Sequence, residues 1–289
     1  MGKTTCRTIG VMDTSHTPLH HAHLAFIGGG NMACAIIGGL IQQGLPAERI
    51  EVVEPFAEQR AKLQAQFGVR VHAQASPALS ACNMVVWAVK PQVFKEAAQP
   101  IAAHLRGALH LSVAAGIRSD SIAAWLGSER VVRAMPNTPA LVGLGMTGLY
   151  ARNAVTEADR ALVDAVVGTT GQFLWLPQES DLDAVTALSG SGPAYVFYFI
   201  EAMRQAGSEM GLLPEVATRL AVGTFMGAAQ LAQASDESPE VLRERVTSKG
   251  GTTYAALTAM EATGVKAAFV HAMHAARVRA QELGDQFGA

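Results

Sequence analysis

Thirteen consecutive residues, His23 to Ala35 (HLAFIGGGNMACA), constrain the fold more than any other stretch of this chain. Leu24 to Ile27 is an apolar run of strand length, and it passes directly into Gly28-Gly29-Gly30-Asn31-Met32-Ala33 and then into helical spacing. In a strand–turn–helix unit of this kind Gly28 permits the tight turn and Gly30 lets the backbone approach a pyrophosphate. A small residue at Ala33 lets helix pack closely on strand. The first helical turn then offers unpaired N–H groups and the positive end of its dipole to an anion, with no lysine required. The ligand this arrangement predicts is a dinucleotide.

The 289 residues are enough for two domains, and their 49% hydrophobic content supplies the cores. A formal charge of -2 without a sustained basic run argues against nucleic acid or a membrane surface as a partner. Small molecules and further copies of the chain are expected instead. The longest apolar runs are broken by Gly, Ser or charge before they reach bilayer length. Residues 1–22 lack the apolar core of a secretory signal and are expected to be a flexible extension. Cys6, Cys34 and Cys82 are odd in number and far apart, which suits the reducing cytoplasm better than a disulfide framework.

After the extension, short β-branched runs alternate with helical patterns, the signature of an α/β doubly wound, mainly parallel sheet of the Rossmann type. Strands are predicted at 24–27, 50–54, 69–72, 84–88, 108–113 and 130–134, with two more at 147–150 and 173–176. Intervening helices are predicted over 32–43, 57–67, 93–103, 120–126 and 156–167. Beyond Pro177, Ala, Leu and Met at helical spacing dominate, broken near Gly211, Pro214, Pro239 and Gly250. The expected organisation is a dinucleotide-binding domain over 23–177 and an all-α domain over 178–289.

Glu54 closes the second strand about two dozen residues past Gly30, where an acid accepts hydrogen bonds from the adenosine ribose and repels a 2′-phosphate. That leans toward NADH. Competing readings are a carboxylate turned away by Pro55, an Arg60 that reaches back to a phosphate, and a merely solvated strand end. Ala88-Val89-Lys90-Pro91 and Val113-Ala114-Ala115-Gly116 follow strands at the crevice end of the sheet. Small residues there admit a cofactor, although helix–sheet packing accounts for them equally well; Lys90 either contacts the cofactor or caps its loop. Arg133 to Pro139 presents Asn137 between two prolines, at a cleft or in a self-bonded turn. Leu188 to Pro193 (LSGSGP) interrupts a helical pattern, as a kink beside a nicotinamide or as a site of close helix packing. Val246 to Thr253 leads into a helix starting near Thr252, whose free N–H groups and hydroxyls suit a carboxylate unless Thr serves as an ordinary cap.

The ordered set Ala88 to Pro91, Met135 to Pro139, Ser189 to Tyr195 and Ser248 to Thr253 resembles the pyrroline-5-carboxylate reductase family over nearly the whole chain after the extension. The resemblance implies reduction of 1-pyrroline-5-carboxylate to L-proline by NAD(P)H, the last step of proline biosynthesis. It implies a helical dimerisation domain, a homodimer with interlocked helices, and assembly into decamers. Carried over residue by residue, Gly28, Gly30, Asn31 and Met32 line the pyrophosphate, and Ala88, Lys90, Ala114, Ala115 and Asn137 line the rest of the cofactor cleft. Thr186 and Val246 border the substrate; Gly251, Thr252 and Thr253 hold its carboxylate, with Thr253 near the ring nitrogen as the catalytic candidate. Lys249 departs from the pattern by standing where proline is common, and Glu54 and Gln74-Ala75 depart from patterns associated with strong NADPH use. Both nucleotides are therefore expected to work.

The inventory of side chains suits imine reduction. Between Leu111 and Val270 there is no His or Cys, and the only lysines are Lys249 and Lys266. Carbonyl reduction usually needs a proton donor at oxygen, whereas a protonated cyclic imine already carries the charge that attracts hydride and needs mainly orientation. No metal and no covalent intermediate are expected. The rivals are a β-hydroxyacid dehydrogenase, whose lysine is missing from Asp181 to Arg204, and a nicotinamide-binding sensor without turnover.

Overall fold

The computed structural model describes residues 18–105 and 107–288. Its strands are β1 (Leu24–Ile27), β2 (Ile50–Val53), β3 (Arg70–His72), β4 (Met84–Trp87), β5 (Leu109–Ser112), β6 (Val131–Met135), β7 (Gly145–Ala151) and β8 (Gly171–Trp175). They form one sheet in the order β3-β2-β1-β4-β5-β6-β7-β8. Every residue of β1, β2, β4 and β5 is buried, because crossover helices cover both faces of a parallel sheet. Along β1 the alternation of side chains divides the core. Leu24 and Phe26 meet Ile37 and Leu40 of α1 (Asn31–Gln42) and Val163 and Val166 of α5 (Glu157–Val167). Ala25 and Ile27 meet Trp87, Phe94 and Ile122 on the other face, where α3 (Phe94–Ala98) and α4 (Ser119–Leu126) lie. The remaining crossover helix, α2 (Ala57–Phe67), links β2 to β3.

Two expectations need correction, and the mainly parallel sheet holds one antiparallel pair. The helix expected over 93–103 shrinks to the five residues of α3, since Pro100 lacks an N–H and disfavours helical geometry just before it. Strand β7 runs antiparallel to β6, with Val132 opposite Ala151, because the residues between them are too few for a parallel crossover. Of the extension expected over 1–22, residues 1–17 lie outside the described residues, while Pro18–His21 forms a 3-10 turn. Leu19 and Ala22 are buried in the core with Val155 and Val163.

The helical half comprises α6 (Asp181–Val185), a π-helical turn (Thr186–Gly190), α7 (Gly192–Glu209), α8 (Pro214–Gln233), α9 (Pro239–Arg245), α10 (Thr252–Ala262) and α11 (Val265–Phe287). Helices α7 and α8 pack where Gly207 faces Ala217; a Cβ at 207 would come within 2.7 Å of it. Most of the remaining surface is uncovered: α9 and α10 bury no residue, and Phe197, Met210, Met226 and Leu231 are exposed. Two ion pairs join this half to the sheet domain, Arg133 to Glu179 at 2.6 Å and Arg118 to Asp183 at 3.1 Å. Burial pushes the Glu179 carboxyl up, but hydrogen bonds from Ser119 and the charge of Arg133 outweigh it and hold it below the ordinary range. No helix of the described residues is long and apolar enough to cross a membrane.

Candidate active site

The carboxyl ends of β1, β4, β5 and β6 release four loops along one edge of the sheet, the edge where doubly wound folds bind ligands. The first carries the glycines. Gly28 has φ +93°, and a Cβ there would stand 2.7 Å from the Ala88 carbonyl oxygen, so both conformation and space demand glycine. Gly30 contrasts with it: a Cβ would meet nothing within 4 Å, so the position opens outward. Gly30 also caps α1 without a side-chain hydrogen bond, which leaves the N–H groups of the first turn, beginning with exposed Asn31 and half-buried Met32, free for an anion. Ala33 is fully buried against the strand. These features fit a dinucleotide pyrophosphate.

Gly29 is held on both sides. Its N–H donates to Glu54 Oε2 at 2.9 Å, and its carbonyl accepts from Gln59 Nε2 at 2.6 Å. The other Glu54 oxygen accepts from the Phe56 N–H at 2.9 Å, and the residue is only 6% exposed. Arg60 turns back onto the carbonyls of Glu54 and Pro55, at 2.8 and 2.7 Å. Glu54 nevertheless borders a cavity of about 570 Å³, together with Gly30, Phe56, Gln59 and Lys62. Sequence reasoning missed Gln59 and Phe56. Gln59 sits in the first turn of α2, where a side chain can face the glycine loop; Phe56 is an exposed aromatic beside a predicted ribose site.

Ala88 is half-buried, Lys90 is exposed at the start of the 3-10 turn Pro91–Val93, and Ala114 and Ala115 follow β5 as buried and half-buried residues. Asn137 follows β6. Its Oδ1 accepts the Met146 N–H at 2.9 Å and its Nδ2 donates to the Ser189 carbonyl at 3.1 Å, so its side chain does not bond its own turn. Thr186 opens the π-turn, half-buried, with its hydroxyl donating to the Leu182 carbonyl at 2.7 Å. A second cavity, of about 540 Å³, is lined by Asn137, Pro139, Leu188, Ser189, Tyr195 and Phe269 among others.

The loop ending in α10 is largely exposed. Val246 is 66% exposed, and Gly251 caps α10 in extended geometry without a side-chain bond. Thr252 and Thr253 are exposed. Neither cavity above is lined by residues 246–253. Within one chain the glycine loop, Ala88, Lys90, Ala114, Ala115 and Asn137 follow the carboxyl ends of β1, β4, β5 and β6, Glu54 ends β2, and Asn137 bonds the π-turn that Thr186 opens, whereas Val246, Gly251, Thr252 and Thr253 lie on or before α10 and border neither cavity.

A family model described as pyrroline-5-carboxylate reductase dimerisation matches residues 179–283, and one described as NADP oxidoreductase coenzyme F420-dependent matches residues 23–116. A pyrroline-5-carboxylate reductase of Pseudomonas aeruginosa is 46% identical over 267 residues, covering 92% of this chain and 98% of that protein. One from Arabidopsis thaliana is 37% identical, covering 95% and 100%. Among solved structures, a pyrroline-5-carboxylate reductase from Coxiella burnetii superposes with TM-score 0.85 at 36% identity, covering 91% of this chain and 98% of that one. The Plasmodium falciparum pyrroline carboxylate reductase with NADP bound superposes with TM-score 0.82 at 28% identity, covering 92% and 99%. With its glycine loop, its doubly wound sheet and the helical half that follows, the chain is an oxidoreductase belonging to the pyrroline-5-carboxylate reductase family.

Proposed function

We propose that the protein reduces 1-pyrroline-5-carboxylate to L-proline with NADPH or NADH, as the last step of proline biosynthesis in the cytoplasm. The observation that carries this reading is a 46% identity to the Pseudomonas aeruginosa reductase that spans both the glycine loop and the Ser248 to Thr253 loop. In this reading Gly28, Gly30, Asn31 and Met32 cradle the pyrophosphate, Glu54 accepts from the adenosine ribose, and Ala88, Lys90, Ala114 and Ala115 flank the nicotinamide half. Bound nicotinamide supplies the hydride. The chain's own residues orient the imine: the N–H groups of Thr252 and Thr253 at the start of α10, beside Gly251 whose own N–H is held by the Ser248 carbonyl, take its carboxylate, Thr186 and Val246 border its ring, and the Thr253 hydroxyl hydrogen-bonds near the ring nitrogen.

Because residues 246–253 are largely exposed and border neither cavity of their own chain, we assign them to the cleft of a second copy. The uncovered apolar faces of α7 and α8 support the helical half, 178–289, as the dimerisation domain, and the 23–177 segment as the cofactor domain. Further assembly of dimers into a decamer belongs to the same reading. A β-hydroxyacid dehydrogenase is disfavoured by the absence of lysine from Asp181 to Arg204.

The test follows NAD(P)H absorbance with pyrroline-5-carboxylate, with a 3-hydroxyacid and oxidised cofactor, and with neither substrate. Imine-dependent oxidation is expected. Turnover of the 3-hydroxyacid alone would favour the dehydrogenase, and cofactor binding without turnover of either would favour a sensor.

A further inference from the structure

Helix geometry leaves a specific gap beside the cleft. In an α-helix the Ser189 carbonyl would accept the N–H of residue 193, but residue 193 is proline and has none. The Ala194 N–H is already given to Ser191, at 3.0 Å. The turn before it is also widened, with the Ser191 N–H reaching back five residues to the Thr186 carbonyl at 2.9 Å. Side chains supply what the backbone lacks. Tyr195 donates its hydroxyl to the Ala187 carbonyl at 3.2 Å, and Asn137, from the far side of the domain junction, donates Nδ2 to the Ser189 carbonyl at 3.1 Å. The orientation of the Asn137 amide is dictated by its partners, since Met146 brings a donor to Oδ1 and Ser189 an acceptor to Nδ2.

We infer that Asn137 is a positioning residue, a clamp that fixes the π-turn Thr186–Gly190 against the cofactor domain, and not a ligand of the cofactor. Each end of its amide holds a protein partner, and the two together fix its plane across the junction between the sheet and the π-turn. Its loss frees the turn that begins at Thr186 and carries Ser189, which lines the second cavity. The rest of the packing gives the turn one seat only. A Cβ at Gly190 would lie 2.6 Å from Met135 Cε, and one at Gly148 would lie 2.9 Å from Val185 Cγ1. The clamp therefore acts on orientation of the imine, which rests on the functional reading above.

Three variants test it: N137A, P193A and the double variant. Residue 193 as alanine regains the N–H that Ser189 lacks, so P193A makes the Asn137 donor redundant. In N137A, kcat with the imine is expected to fall by about 10- to 100-fold, as small misplacements of reacting groups do, while the dissociation constants of NADPH and NADH stay within about twofold. In the P193A background the same Asn137→Ala change is expected to cost less than about threefold in kcat. A weakened cofactor with unchanged kcat, an unchanged kcat, or a loss equally large in both backgrounds would each overturn the clamp. Thermal unfolding of the four proteins reads the coupling between 137 and 193 without any turnover. If the wild type oxidises no cofactor with imine, the functional reading falls, and this coupling still decides whether Asn137 holds the turn; additive shifts in Tm would end the proposal.

Discussion

Glu54 is proposed to do two jobs with one carboxylate. Its oxygens accept the N–H groups of Gly29 and Phe56, which fixes the glycine loop, and the same group borders the cavity where we propose the adenosine ribose sits. Glu54→Ser is therefore expected to lower KM for NADPH, since removing a repulsion screened to roughly 1 kcal/mol corresponds to about fivefold. It should raise KM for NADH, because the ribose bonds go and the loop slackens. Steady-state kinetics with both nucleotides checks this; if neither constant moves, Glu54 serves the loop alone. Thr253→Ala belongs to the same scale. A positioned hydrogen bond to a charged group contributes about 1.5 to 3 kcal/mol, so turnover should fall about 10- to 100-fold with cofactor affinity unchanged. Wild-type kinetics in this variant would remove Thr253 from the site.

The strand–turn–helix unit around Gly28 separates two kinds of glycine. Gly28→Ala forces a side chain into φ +93° and against the Ala88 carbonyl, and is expected to destabilise the protein by about 1 to 3 kcal/mol. Gly30→Val meets open space in the fold, so Tm should stay near wild type while cofactor binding is lost. Denaturation curves and fluorescence titration of the two variants distinguish these roles. This unit was legible in the sequence because its determinants are local: an apolar strand, glycines at fixed offsets, a helical period. The π-turn was legible only as an interruption at LSGSGP. Its form depends on a proline that removes a donor and on Asn137, 52 residues away, which replaces it. The reversal of β7 lies in a connection too short to cross over, and the bracket on Gly29 lies in Gln59, a side chain whose type carries no motif.

Across the whole molecule, stability and association follow from what is buried and what is not. His110 is 1% exposed, accepts the Trp87 indole N–H at Nδ1 (3.2 Å), and is pushed down to about 4 by burial and then by the charge of Arg130. A histidine held neutral in the fold contributes fully above its ordinary value of about 6.5, and the contribution is lost as pH falls toward 4, up to about 3 kcal/mol in all. His110→Gln should flatten the dependence of unfolding free energy on pH between about 6.5 and 4; an unchanged slope would mean that another group is responsible. The helical half makes the opposite statement. With Phe197, Met210, Met226 and Leu231 exposed, a second copy is needed to complete its burial, and dilution is expected to abolish activity without yielding an active monomer, which sedimentation at assay concentration checks.

The exposed start of α10, assigned above to the cleft of a second copy, has a genetic consequence. A reductase whose halves meet only across a two-fold axis can be repaired by mixing two broken copies. One strain allele carrying Gly30→Val and another carrying Thr253→Ala are each expected to be proline auxotrophs or nearly so, yet co-expressed they form mixed pairs. Each mixed pair has one cleft with both defects and one with neither, so random pairing restores roughly a quarter of wild-type sites. Growth of the doubly transformed cell on medium without proline would place the dividing line of the active site between chains, and failure to grow would return it to a single one.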